Sequence, residues 1–96
     1  MQIKIAPQIV RKIKEKHDVD PNEIDECFAN RTGNFLEDTR EQHRTRPPSQ
    51  WFLSETDQGR LLKIVFIEEQ SHGEIHIKTA YQPDENEVRI YEKYGF

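Results

Sequence analysis

The chain has 96 residues and a formal net charge of −4, and its hydrophobic and charged fractions are each 33%. This length fits one domain with a single modest core, and no apolar run approaches the roughly 20 residues that a membrane span needs. Residues 1–10 lack the basic and apolar segments of a signal peptide. Cys27 is the single cysteine, which excludes an internal disulfide. We therefore predict a cytoplasmic protein.

The first half of the chain predicts one short strand and two helices. Apolar and polar residues alternate over residues 1–5, as in a strand. Pro7 suits the first turn of a helix that fades near His17. A second helix is predicted from Asp20, which begins an Asp-x-x-Glu capping box, and Gly33 is expected to close it.

The second half predicts three antiparallel strands and a final helix. Strands are expected at 50–55, 60–69 and 74–81, separated by turn-forming residues. The middle strand is almost continuously apolar, which is typical of a central strand. A helix is predicted from about Pro83. The fold class is therefore α+β: a small antiparallel meander sheet with two N-terminal helices and one C-terminal helix, packed mainly on one face, in a single domain over 1–96.

A charge-rich segment at 37–46 is the first candidate site. The negative net charge weighs against a broad nucleic-acid surface, but this segment is locally basic. Arginines can hold phosphates by paired hydrogen bonds, and a histidine or carboxylate can transfer a proton. The alternative is a salt-bridged, solvated loop. The candidates are Glu37, Arg40, His43, Arg44 and Arg46.

The predicted strands carry further candidates. Lys63 and Lys78 lie on neighbouring strands and could direct two ammonium groups to one sheet face, where they would stabilise a charged phosphorane. Each could equally snorkel to solvent. Tyr81 ends its strand and could stack on a base or donate a proton. Trp51 is expected in the core, although an exposed Trp could stack on a nucleotide.

Several classes of site find no support in the sequence. The histidines and the single cysteine show no metal-ligand spacing, so we expect no metal. There is no Gly-rich phosphate loop, nucleophile elbow or dinucleotide fingerprint. We therefore predict no cofactor.

Four stretches of the sequence stand out together: "EKHDVDPNEIDECF", "EDTRE", "LLKIVFIEE" and "IHIKTAYQPDENEVRIYEKYG". They resemble the BrnT toxin family, a branch of the RelE-like ribonuclease toxins of bacterial type II toxin–antitoxin pairs. In the last and closest stretch, Thr79 and Ala80 match the family's Ser-Ala step. Glu87 and Tyr91 match its Glu and its helical Tyr. Two positions depart from the pattern: Tyr81 stands where the family has an Arg, and an Asp follows the His where the family has a Gly.

The resemblance implies a metal-independent endoribonuclease that acts on RNA and binds an antitoxin protein. The residues expected in catalysis are Glu37, Arg40, His43, Arg44, Lys63, Lys78 and Tyr81. The residues expected to bind substrate are Arg46, Trp51 and Thr79. The absence of the family's Arg supports an alternative, in which the domain has lost catalysis and binds a partner protein or a nucleotide-like ligand.

A second resemblance is to short bacterial proteins labelled as hydrolases of ADP-ribosylated dinitrogen reductase. They share the "FLEDTRE-x-H-R-T…WF" stretch and the "IKTAY-x-P" that follows. Well-known ADP-ribosyl hydrolases are larger helical proteins with a two-magnesium acidic site. This sequence offers no comparable set of ligands, so we do not expect that hydrolase activity.

Overall fold

A computed structural model of the protein describes residues 2–40 and 45–96. The strands and helices, in chain order, are β1 (Gln2–Lys4), α1 (Pro7–His17), α2 (Pro21–Asn30), β2 (Leu36–Glu37), β3 (Ser49–Glu55), β4 (Leu61–Glu69), β5 (Glu74–Tyr81) and α3 (Glu85–Tyr94). The α+β class and the three helices are thus as predicted. None of the helices in the described ranges is both long and apolar enough to cross a membrane.

The sheet has five strands in the order β1-β5-β4-β3-β2. Its centre, β3-β4-β5, is the predicted antiparallel meander. At one edge β1 pairs with β5 in parallel, and at the other β2 pairs with β3 antiparallel. The prediction of a purely antiparallel meander is therefore wrong for the whole sheet, which is mixed. After β1 the chain passes through both helices to the opposite edge at β2, and the meander then brings β5 back beside β1 in a parallel orientation.

Helices cover both faces of the sheet. In β3, the ring of Phe52 lies 4.7 Å from that of Phe28 in α2. The ring of its neighbour Trp51 lies 5.6 Å from that of Tyr91 in α3. Adjacent residues of a strand point to opposite faces, so α2 and α3 pack on opposite faces. In this respect α3 departs from the expectation that helices lie mainly on one face.

Four phenylalanines form the centre of the α2 face. Their ring centroids lie 4.7–6.2 Å apart, mostly in edge-to-face contact, an arrangement that adds to the free energy of burial. The four are Phe28, Phe35, Phe52 and Phe66. Because Phe35 directly precedes β2, this cluster also fixes the start of the charge-rich segment against the core.

Gly33 has a different role from the predicted one. The helix α2 ends at Asn30, before this glycine. A Cβ atom on Gly33 would lie 2.9 Å from Cζ of Tyr91 and closer still to its hydroxyl. The glycine is therefore required because the chain passes close to α3 at this point. It does not form the C-terminal cap of α2.

Candidate functional site

A hydrogen-bonded cluster joins β4, β5 and α3. The Lys63 ammonium donates to Glu87 Oε2 over 2.6 Å, and the Tyr81 hydroxyl donates to the same oxygen over 2.8 Å. Lys63 and Tyr81 are directly opposite each other in the β4–β5 ladder. The cluster therefore combines an ammonium, a carboxylate and a phenol at the end of the sheet where β5 finishes.

The N-terminus of α3 positions the carboxylate. Asp84 and Glu87 form a reciprocal capping box, in which each side chain accepts a hydrogen bond from the other residue's backbone N–H. This satisfies two N–H groups that the first turn of a helix otherwise leaves unpaired. The cap therefore holds one oxygen of Glu87, and the other oxygen is directed to Lys63 and Tyr81.

Lys63 is buried, contrary to the expectation that its ammonium faces an open sheet surface. Its side chain is 6% exposed and that of Glu87 is 17% exposed. The ammonium also lies 4.5 Å from the ring centroid of Trp51, within the range of a cation–π contact. A buried charge is tolerated when it is paired and hydrogen-bonded, and the carboxylate and the ring meet that condition.

Contacts within the cluster shift the pKa values of Tyr81 and Glu87 in opposite directions. Burial, and then the hydrogen bond to Glu87, raise the pKa of Tyr81, so the phenol keeps its proton at neutral pH. Burial alone would raise the pKa of Glu87, but hydrogen bonds from Lys63, the Asp84 N–H and Tyr81 outweigh it and lower the pKa. A neutral proton donor thus lies next to an ionised carboxylate.

A cleft of about 590 Å³ opens beside this cluster. It brings together four of the residues predicted from sequence: Glu37, Arg40, Trp51 and Lys63. Glu87 lines it too and connects it to Tyr81. The other lining residues come from the segment before β3 and from α3, and they are Phe35, Leu36, Asp38, Thr39, Asp84, Asn86, Ile90 and Tyr94.

Arg40 lies at the cleft in a bidentate ion pair. Its Nε and Nη2 donate to the two Asp38 carboxylate oxygens over 3.0 and 2.9 Å. This pairing is the main cause that raises the pKa of Arg40, and Tyr81 and Glu87 add to it. Half of the Arg40 side chain stays exposed, at 52%, so the guanidinium can still meet a ligand from the solvent side.

The remaining predicted residues lie outside this cleft or outside the described ranges. Tyr81 lines a separate depression together with His17. Arg46 lines a neighbouring depression that also includes Glu37. The Lys78 ammonium donates to Ser49 Oγ over 3.1 Å, and Thr79 is half-buried opposite Val65. His43 and Arg44 fall within 41–44 and so lie outside the described residues.

Two participants were not singled out from the sequence. Glu87 was matched to a family position but given no role, although its capping box with Asp84 was visible as Asp-x-x-Glu. His17, at the end of α1, has its ring centroid 5.4 Å from that of Tyr81. No local sequence signal connects His17 with Tyr81, because the two residues are distant in sequence and meet only when α1 packs against β5.

The arrangement gathers a buried ammonium and a protonated phenol around one carboxylate, Glu87, beside a cleft that Arg40 also lines. No protein-family model matches the chain. The search of curated proteins also found no match.

Proposed function

We propose that the protein is a metal-independent endoribonuclease toxin of a type II toxin–antitoxin pair, with a RelE-like domain related to the BrnT family. The cluster of Lys63, Tyr81 and Glu87 beside the cleft carries this proposal. Cleavage of RNA without a metal requires a proton donor, a base and a fixed cation near one phosphate. The described cleft offers the base and the cations. Glu87 connects it to the proton donor, Tyr81, which lines a separate depression.

In the proposed reaction, the ribose 2′-oxygen attacks the adjacent phosphorus, and the bond from phosphorus to the 5′-oxygen breaks. Glu37, exposed at the cleft, accepts the proton of the 2′-hydroxyl; His43 is the alternative base. Tyr81 donates its proton to the leaving 5′-oxygen and later regains one from solvent. The products are a 2′,3′-cyclic phosphate and a 5′-hydroxyl.

Cations would stabilise the charge of the phosphorane. Arg40 and Lys63 act at the cleft, and Lys63 also keeps Glu87 ionised. Arg44, Arg46 and Lys78 would extend the contact along the RNA backbone. Trp51 and Thr79 would form the sheet surface beneath the nucleotide. An antitoxin would cover this surface when the toxin is inactive.

The test uses purified protein, single-stranded RNA and the matching 2′-deoxy strand, in buffer with EDTA. We expect cleavage of the RNA alone, with 2′,3′-cyclic phosphate ends. The Tyr81→Phe variant should be slower by about 10²–10⁴-fold, as expected when a general acid is lost. Tyr91→Phe is the matched control, because it removes a phenol hydroxyl that donates to the Asn34 carbonyl and not to Glu87. Equal rates for wild type and Tyr81→Phe would contradict the proposed role.

The charge of the cleft favours a second candidate, a non-catalytic binding module. The described lining residues include four carboxylates (Glu37, Asp38, Asp84, Glu87) and two cations (Arg40, Lys63). Both cations already have carboxylate partners. Such a cleft would suit a partner segment with a basic side chain and an apolar one, because Ile90 and Tyr94 at its rim are 38% and 60% exposed.

Two measurements distinguish the candidates: whether the protein cleaves RNA, and whether a charge reversal at the rim of the cleft weakens a partner complex. The binding module predicts intact RNA and a stable complex with the product of a neighbouring gene when the two are co-expressed. Glu37→Lys should then weaken the complex, since it reverses a charge at the cleft. Cleavage of RNA by wild-type protein would exclude the binding module as the sole function.

A further inference from the structure

A second cluster of titratable side chains lies at the hairpin between β4 and β5. Glu69 ends β4 and Glu74 begins β5, and the two residues are directly opposite each other in the ladder. His76 follows Glu74 by two residues on the same strand and therefore on the same face. Glu69 is six residues along β4 from Lys63, or about 20 Å at the rise of a strand, so this cluster is separate from the cleft.

The two carboxylates occupy an unfavourable arrangement unless a cation lies between them. Like charges at directly opposite positions of an antiparallel pair destabilise a sheet. His76 Nε2 is 3.5 Å from Glu69 Oε2 and also 3.5 Å from Glu74 Oε1. These distances exceed the 2.7–3.2 Å that is usual for N–H···O hydrogen bonds. The imidazole therefore lies between the carboxylates and equally far from both.

The two distances from His76 to the carboxylates match edges of a metal coordination tetrahedron. Zinc binds His nitrogen and carboxylate oxygen at about 2.0–2.2 Å, which places neighbouring tetrahedral ligands about 3.3–3.6 Å apart. The three atoms concerned, one from each of Glu69, Glu74 and His76, lie within 4.8 Å of one another. A small inward shift of the two carboxylates would therefore complete three ligand positions.

Each carboxylate also has an outer partner on its other oxygen. His72 Nδ1 and the Ser71 hydroxyl contact Glu69 Oε1 at 2.9 and 3.3 Å. Lys4 of β1 contacts Glu74 Oε2 at 3.3 Å. Such contacts orient the ligating oxygen in metal sites.

We propose that the β4–β5 hairpin binds one divalent transition-metal ion of the zinc class, through His76 Nε2, Glu69 Oε2 and Glu74 Oε1. A nitrogen ligand with two carboxylates suits zinc better than calcium, which takes six to eight oxygens. Water would fill the fourth position. This proposal differs from the sequence expectation of no metal, and it is independent of the ribonuclease proposal.

The test is calorimetric titration of the untagged, metal-free protein with zinc chloride, repeated with calcium chloride. We expect one zinc ion per chain and much weaker binding of calcium. His76→Ala and Glu74→Gln should each weaken zinc binding at least about tenfold, and His72→Ala about 10–100-fold if its contact orients Glu69. The control is His17→Ala, which removes an imidazole that contacts Tyr81 instead and should leave zinc binding unchanged.

Circular dichroism would establish that each variant is folded. Cobalt substitution gives a second measurement, because tetrahedral cobalt has strong visible absorption that His76→Ala should abolish. The proposal is overturned by wild-type protein that binds no zinc, or by His76→Ala protein that binds it as tightly as wild type. RNA cleavage by the wild-type protein should not change when the metal is removed.

Discussion

Lys63 illustrates what a single residue can and cannot reveal in sequence. A lysine among apolar residues of a strand fits either a snorkelling side chain or a functional cation. Its partner Glu87 is 24 positions further on, and nothing in β4 indicates that pairing. The structure excludes the snorkelling side chain: the ammonium lies inside the protein, against a carboxylate and the Trp51 ring.

The first prediction concerns the buried pair. Glu87→Gln keeps a side chain that can cap α3 but leaves the Lys63 ammonium buried without its counter-charge. We expect the free energy of unfolding to fall by about 3 kcal/mol, which is the lower end of the range for a broken buried ion pair. The lower end applies because Glu87 retains some exposure. Adding Lys63→Met should restore most of the stability. Urea unfolding of the single and double variants measures this, and additive losses would show that the pair is not coupled.

The second prediction concerns Asp18, at the end of α1. Its backbone φ is +53°, in the left-handed region that glycine adopts without cost. Asp18→Gly should raise the melting temperature by a few degrees despite the loss of an exposed contact with Lys14, since such contacts contribute little. Asp18→Val should lower it, because a β-branched residue is strained there. A higher melting temperature for Val than for Gly would contradict the assigned conformation.

At the scale of elements, Arg60 connects the two N-terminal helices to the β3–β4 hairpin. Its guanidinium donates to the carbonyls of His17 and Asp18 over 2.9 and 2.7 Å. It also pairs with Glu23 at 3.2 Å. One planar group thus satisfies the C-terminal end of α1 and binds the first turn of α2.

The third prediction follows from that connection. Arg60→Ala should destabilise the protein by about 2–3 kcal/mol, because it removes charge-assisted hydrogen bonds from a partly buried site. Arg60→Lys should recover only part of this loss, since one ammonium cannot reproduce the fork of donors. Chemical unfolding measures both variants. Full recovery by Lys would mean that charge alone, without the paired geometry, accounts for the effect.

Local sequence signals predicted the elements better than their arrangement. The strands β3, β4 and β5 have clear patterns and short turns, so their antiparallel pairing followed. The edge strand β1 pairs with β5 more than 70 residues away, from Gln2 to Glu74, and no local pattern specifies that partner. The strand β2 has two residues, which is too short for any alternation to be seen.

The candidate site was predicted in the same uneven way. Glu37, Arg40, Trp51 and Lys63 were chosen by residue type, and the structure brings them to one cleft. Lys78 was placed with them because its strand neighbours that of Lys63, and Thr79 because it matches a family position, but both lie outside the cleft. The cleft exists because α3 packs on the face that Trp51 occupies, and that choice of face depends on tertiary packing that the sequence pattern does not encode.

For the whole molecule, the fourth prediction is acid sensitivity. The pKa of Glu87 in the folded protein lies below its ordinary value of 4.5. Its stabilising contribution is therefore complete above that value and is lost as the pH falls through the lower folded pKa. The stability difference between wild type and Glu87→Gln should shrink as the pH falls below about 4.5. Unfolding curves from pH 3 to 7 test this, and a constant difference would contradict it.

The most direct test of the proposed function is RNA integrity in bacterial cells after induced expression, with wild type and Tyr81→Phe compared at equal levels of folded protein. The account predicts fragmented RNA and arrested growth with wild type, and intact RNA with Tyr81→Phe. Intact RNA and normal growth at high levels of wild-type protein would contradict the ribonuclease proposal and favour the binding module.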